Sequence, residues 1–345
     1  MPQMKAPVAA SRRVDVAFDR RITSHMSAGM ALYVRKLIEQ LPRVAPDLAL
    51  AFVGEGDNFD VAEQAGLPLA IARCRPRLVH LPSPFVPLIV PSPYVVTIHD
   101  LIDLHYPQFG KRKVGPYYRF GVGPVARRAR AVITDDRRTA DDLVDLLGVD
   151  PDRIRVVPLG VDFPPEPRPQ PLAGRPYFLY VGNHRGHKNL ETLVRAWATL
   201  PEALAVDLRL TGSDDRGFAS APRRANGELL FSGELSDDSL RSLYRHARAY
   251  VHPAFREGFG LPMLEAMRAG APVIAARTAV PDVLAPYVSP FDPTDVAALR
   301  ALLERALVDP ASLASAAQIG QAATRDLTWA RTAAATAEIY REFCT

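Results

Sequence analysis

Glu257 and Glu265, with seven residues between them, flank a turn that carries Gly258 and Gly260. Glycines so placed let backbone pass close to a ligand. The segment after them has Pro262 just inside its start and Gly270 just past its end, the asymmetry of a helix. A helix start presents unbonded amides and the positive end of a dipole, which suits an anion. Carboxylates repel phosphate but accept hydrogen bonds from hydroxyls. A ligand with phosphate in the middle and hydroxyls at both ends satisfies both demands, and a nucleotide-sugar has that form.

These groups need a strand to deliver the turn and another to take up the chain after the helix. The short apolar runs 249–251 and 272–276 supply them, so the stretch reads as one strand-loop-helix-strand unit. The same alternation runs through the whole chain. Strands are expected at 14–18, 48–53, 78–81, 94–99, 131–134 and 154–160, then at 177–181, 206–211 and 229–233. Helices are expected at 28–41, 137–147, 294–307, 312–323 and 329–343, with another opened by Ser236 and its two following aspartates.

The phrase Glu-Gly-Phe-Gly-Leu-Pro-Met-Leu-Glu-Ala-Met at 257–267, followed by Gly-Ala-Pro-Val-Ile from Gly270, resembles the signature of the retaining glycosyltransferases of family 4. The resemblance implies an α/β protein of the GT-B type, two Rossmann-like doubly wound parallel-sheet domains facing across a cleft. It also implies a nucleotide-diphospho-sugar donor, with Gly258, Phe259, Gly260 and Leu261 lining the donor site. Glu257 would orient the sugar and Glu265 would hold the ribose diol.

Further phrases resemble the family. Thr97 to Asp100 reads Thr-Ile-His-Asp, which implies that His99 contacts the sugar near its reacting carbon. Ser27 to Met30 resembles the flexible glycine loop near sugar and acceptor, with Gly29 in it. The loop from Gly182 to Lys188 resembles the diphosphate-binding loop, where Arg185 and Lys188 would neutralise the leaving nucleotide. Relatives often have arginine directly before that lysine. Here His187 stands there, which leaves either Arg185 or His187 to assist Lys188, and Arg185 is the candidate taken forward. The turn at Gly233, Glu234 and Leu235 would lie beside the nucleobase.

A chain of 345 residues, 48% hydrophobic and 23% charged, has material for about two cores. Six prolines between 164 and 176 mark a stiff linker. It separates residues 1–163 from 177–328, which the resemblance implies are an acceptor-binding and a nucleotide-sugar-binding domain, with 329–345 resembling the terminal helix that crosses back onto the first. Cys74 and Cys344 show no metal or redox spacing, residues 1–13 lack a signal-peptide core, and no apolar run nears the roughly 20 residues of a membrane helix. A cytoplasmic protein is expected.

The net charge of +4 suits anionic substrates or an anionic inner membrane surface, where the basic segment 111–130 would lie; no nucleic-acid motif is present. His99, Asp100, Asp103 and His105 match no standard metal spacing, and the resemblance implies an enzyme working without a bound metal or other cofactor. The acceptor would be a glycan or a lipid-linked saccharide and the sugar a mannose- or glucose-type hexose, with GDP or UDP left open. Two competing readings use the same residues: a nucleotide-sugar-binding protein without turnover, and a phosphorylase or epimerase on the same architecture.

Overall fold

The computed structural model describes residues 14–55, 61–87, 89–110, 113–163, 174–218 and 224–344. Most of the expected linker, 164–173, lies outside the described residues, as do 1–13 and Lys111 and Arg112 of the basic segment.

The first sheet contains Val16–Asp19 (β1), Leu50–Val53 (β2), Leu78–Leu81 (β3), Tyr94–Thr97 (β4), Ala131–Thr134 (β5) and Ile154–Val156 (β6). They pair in the order β2-β1-β3-β4-β5-β6, every neighbour parallel. The second contains Tyr177–Tyr180 (β7), Asp207–Leu210 (β8), Leu229–Phe231 (β9), Ala249–His252 (β10), Val273–Ala276 (β11) and Ser289–Phe291 (β12). Its order is β12-β11-β10-β7-β8-β9, again all parallel. Short apolar runs buried on both faces, such as Ala131–Thr134 and Val273–Ala276, are what a parallel sheet covered by helices requires.

Helices Ala28–Val44 and Arg137–Leu147 cover the first sheet, each opened by a side-chain cap, from Ser27 and Asp136 respectively. Gly148, at φ 64°, closes the second of them. Leu190–Ala198, Asp237–His246, Leu261–Arg268 and Val296–Val308 belong to the second sheet. The terminal helix Trp329–Cys344 returns to the first half, where Trp329, Ala333, Ala337 and Tyr340 join one core with Tyr33, Val34, Leu37 and Leu41. At the crossing, Val161 N–H donates to the Leu327 carbonyl at 3.0 Å. A Cβ on Gly160 would lie 2.0 Å from the Thr328 carbonyl carbon, so only glycine fits.

Several boundaries differ from the sequence reading. β6 stops at Val156 instead of continuing to 160, because Pro158 has no N–H for the ladder. β4 ends at Thr97, so His99 stands in the loop beyond it. The first helix continues through Pro42 to Val44. The elements that went unseen include the four-residue helix Ile102–His105, the helix Val61–Cys74 with Pro68 inside it and the edge strand β12 with Pro290 at its centre. Ile102–His105 is too short to show a helical period; proline spoils the pattern of the other two, and an edge strand tolerates it. Gly29 falls in the first turn of the helix expected from residue 28. The basic segment is helical from Val114 through Arg128, with a π turn at Tyr118–Val122. No helix among the described residues is long and apolar enough to cross a membrane.

Candidate active site

In the second sheet the strand order reverses between β7 and β10, and the crevice outside the carboxyl ends at such a reversal is where open α/β sheets bind ligands. The loop after β7 delivers Lys188 there and the loop after β10 delivers Glu257. Their Nζ and Oε2 are 2.5 Å apart, both side chains mostly buried. The two loops are also tied through backbone. Phe255 N–H donates to the His187 carbonyl at 2.9 Å, and Asn189, at φ 54°, sends its side-chain amide to the carbonyls of Pro253 and Pro293 at 3.0 and 2.8 Å.

His252, at the end of β10, completes the cluster. Its Nε2 lies 3.2 Å from Glu257 Oε2, and its Nδ1 lies 2.8 Å from the Tyr250 hydroxyl. Since a carboxylate only accepts, Nε2 carries the proton and Tyr250 donates to Nδ1. Burial keeps His252 below the usual histidine range despite the carboxylate. Burial works against charge on Glu257 too, but Lys188 and His252 outweigh it and hold its carboxyl well below the usual range. Glu257 is therefore ionised at neutral pH.

Burial and the neighbouring Lys188 charge push His187 down to about 4. It is neutral at pH 7, which leaves Arg185 as the second cation of that loop. Arg185 is exposed and pairs with no carboxylate among the described residues.

Glu265 sits one helical turn inside Leu261–Arg268. Burial pushes its carboxyl up to about 7, and the Tyr244 hydroxyl donates to its Oε2 at 2.8 Å. Gly260 caps this helix at φ 72° without any side-chain capping bond, which leaves the Leu261 amide at the turn unclaimed by a side chain. Gly182, at φ 146°, donates its N–H to Thr211 Oγ1 at 3.1 Å; a Cβ there would press within 2.8 Å of the Tyr180 hydroxyl. Phe259 is buried beneath the turn.

The first half meets this cluster directly. A Cβ on Gly258 would come within 2.8 Å of the His99 carbonyl oxygen, and a Cβ on Gly29 would stand 3.9 Å from Leu261 Cδ1. His99 follows β4 and Asp135 follows β5, its parallel neighbour, and His99 Nδ1 lies 2.7 Å from Asp135 Oδ2. Burial opposes charge on the ring, but Asp135, Asp100 and the nearby Pro82 carbonyl overcome it and raise its pKa. His99 Nε2 is buried without a hydrogen bond. Tyr33 packs edge-on against the ring at 4.6 Å and bonds to Thr97, which is bonded in turn to His80 and through it to Tyr340.

Lys188, Glu257, Gly258, His99, Leu261 and Gly29 thus come together across the two halves. Glu234 is exposed and Leu235 half-buried in the turn after β9, where Gly233 and Gly212 exchange backbone bonds at 3.0 and 3.1 Å; neither side chain joins the cluster. Sequence reasoning missed His252, Tyr250, Tyr244 and Asp135. Among the described residues no group of three or more His, Cys, Asp or Glu side chains is placed to hold a metal. His99 and His105 face different carboxylates, Asp135 and Asp142.

Two parallel Rossmann-like sheets whose carboxyl-end loops meet in this way define a two-domain GT-B fold. Residues 163–326 match the model of the glycosyl transferases group 1, and residues 39–163 match that of Glycosyltransferase Family 4. The chain belongs to this family of group 1, family 4 glycosyltransferases. It is 27% identical over 265 residues to O-antigen chain mannosyltransferase B of Escherichia coli, covering 72% of this chain and 70% of that one. To the serotype-specific mannosyltransferase WbdA of Escherichia coli it is 29% identical over 324 residues, 81% of this chain but only 38% of the relative's length. Among solved structures, a sucrose-phosphate synthase from Thermosynechococcus elongatus superposes with a TM-score of 0.77 at 21% identity, covering 96% of this chain and 99% of that one.

Proposed function

We propose that the chain is a retaining hexosyltransferase that moves a mannose- or glucose-type sugar from a nucleotide-diphospho-sugar to a glycan or lipid-linked acceptor. The observation that carries this reading is the Lys188–Glu257 pair at the strand-order reversal, with Gly258 closed against the backbone of His99. The mannosyltransferase relatives support the choice of hexose and of a saccharide acceptor.

The diphosphate would lie against Lys188, Arg185 and the amides after Gly258. The bond from the sugar's anomeric carbon to the distal phosphate breaks, and these groups stabilise the charge that develops on the phosphate. An acceptor hydroxyl attacks that carbon from the same face, and its proton passes to the departing phosphate oxygen. Glu257, held ionised, accepts hydroxyls of the sugar. Glu265 accepts the ribose hydroxyls. His99, its pKa raised by Asp135 and its buried Nε2 without a hydrogen-bond partner, would contact the sugar near its reacting carbon. The cations belong to the chain itself, so turnover should survive chelation of divalent metals.

The acceptor would enter over the first half. Contact with an anionic membrane surface is supported by Phe120, 72% exposed, with the Arg119 guanidinium 5.7 Å from its ring.

The test is incubation with GDP-mannose and UDP-glucose and a panel of saccharide acceptors, followed by measurement of released nucleoside diphosphate and glycoside. Donor binding with no diphosphate released, across all acceptors, would replace this reading with a non-catalytic binder.

A further inference from the structure

The cleft lies at the carboxyl ends of the strands. At the amino ends of β4 and β5, on the opposite side of the first sheet, is a second concavity of about 380 Å³, lined by Arg128, Arg130 and Arg153 between Tyr94 and Phe343. That volume falls within the range of roughly 300 to 1,000 Å³ typical of small-molecule sites.

Its walls are held in place. Arg153 Nη1 donates to the carbonyls of Arg127 and Ala129 at 3.1 and 3.3 Å, Arg130 N–H donates to the Tyr94 carbonyl at 2.8 Å, and the Tyr94 hydroxyl donates to the Val125 carbonyl at 2.8 Å. The charge, by contrast, is compensated only at Arg153. Asp150 stands 3.8 Å from Arg153 Nε, and among the described residues no carboxylate pairs with Arg128 or Arg130. Three exposed arginines line one hollow, and the Arg153 fork, anchored to carbonyls through Nη1, keeps its Nη2 unbonded among the described residues, in the planar geometry that phosphate oxygens accept.

We propose that this pocket binds the phosphate group of a small phosphorylated molecule, at a site separate from the catalytic cleft. The arginines take the phosphate, and the rings of Tyr94 and Phe343 flank the group that carries it. Phe343 belongs to the terminal helix, the same helix whose Tyr340 is bonded to His80 beneath the His99 loop, so an occupant would brace that helix against the first sheet.

The experiment is calorimetric titration of the full-length protein with inorganic phosphate and with glycerol 3-phosphate, comparing the natural chain with Arg128→Ser/Arg130→Ser and with Arg153→Lys. The readout is the difference between these proteins, so it does not depend on what the cleft binds. Affinity should fall at least tenfold in both variants. A second arm measures co-sedimentation with phosphatidylcholine vesicles with and without phosphatidic acid. Capture that needs the arginines and phosphatidic acid, without binding of glycerol 3-phosphate, would support the site with a lipid headgroup as the phosphate's source. Equal affinity in all three proteins, no binding in either arm, or an Arg153→Lys protein that binds as the natural one does would overturn the proposal. The last result would show attraction to net charge without a built site.

Discussion

Lys188 and Glu257 stand 69 residues apart in sequence, yet their charged atoms meet at 2.5 Å between two loops of the second half. The pair accounts for both the ionised state of Glu257 and the placement of the cation. Removing Lys188 therefore has two separable effects. Lys188→Ala should lose about 3 kcal/mol of stability, because the buried carboxylate loses its cation and keeps only the His252 bond. Turnover should fall by about 10²- to 10³-fold, the size expected when a donor to a developing oxyanion is lost. The Lys188→Ala/Glu257→Gln double variant should regain most of the stability and none of the turnover. Denaturant unfolding and steady-state kinetics on the three proteins check this, and a double variant with restored rate would remove Lys188 from the chemistry.

His252 is a positioning residue for Glu257. His252→Ala strands both the Tyr250 hydroxyl and one bond to the carboxylate, and should cost about 1 to 3 kcal/mol of stability. It should also raise the KM for the donor more than it lowers kcat. His252→Gln can accept from Tyr250 and donate to Glu257, so it should recover the KM. If glutamine and alanine proved equally poor in KM, the histidine would serve packing alone.

Burial holds Glu265 near pH 7 in the folded protein against an ordinary value of 4.5. The folded state then binds more protons than the unfolded one between those values, so this group makes stability fall as pH rises from about 4.5 through about 7. That slope should shrink in Glu265→Gln. Donor binding favours the ionised carboxylate, so binding at pH 6 should release protons, seen as a buffer-dependent heat that disappears in Glu265→Gln. Heats independent of the buffer would take Glu265 out of the ribose contact.

Two glycines separate close approach from mere presence. Gly258→Ala places a methyl group 2.8 Å from the His99 carbonyl oxygen and 3.3 Å from Asp100 Cβ, both on the other half, so it should hold the cleft open and abolish most turnover. Its circular dichroism should stay unchanged. Gly29→Ala meets nothing nearer than 3.9 Å and sits in a helix, where alanine is favoured by up to about 1 kcal/mol, so activity should be kept. A dead Gly29→Ala enzyme would show that this glycine does need freedom.

Glu257, Lys188 and His99 were readable in the sequence because each is set in an unusual local phrase. Their partners were not. Asp135 supports His99 only because β4 and β5 pair in parallel with Thr97 opposite Ile133, which sets the residues two places on side by side. His252 reads as one more residue of a buried strand until its neighbour across the turn is known. Local pattern also gave no hint that His187 would be buried beside Lys188 and lose its proton, which is what favours Arg185 as the second cation. Of the elements overlooked, Val61–Cys74 and β12 have a proline inside them, and Ile102–His105 is too short for a period to show.

Where Gly160 lies flat on Thr328, the chain's outward and return passages between the halves touch each other, with Val161 bonded to Leu327 beside them. Fastened at one spot, two connections act as a single pivot. Any rotation of one half against the other would therefore centre near Gly160 and Thr328, and the contact between Gly258 and His99 would be where it is read out.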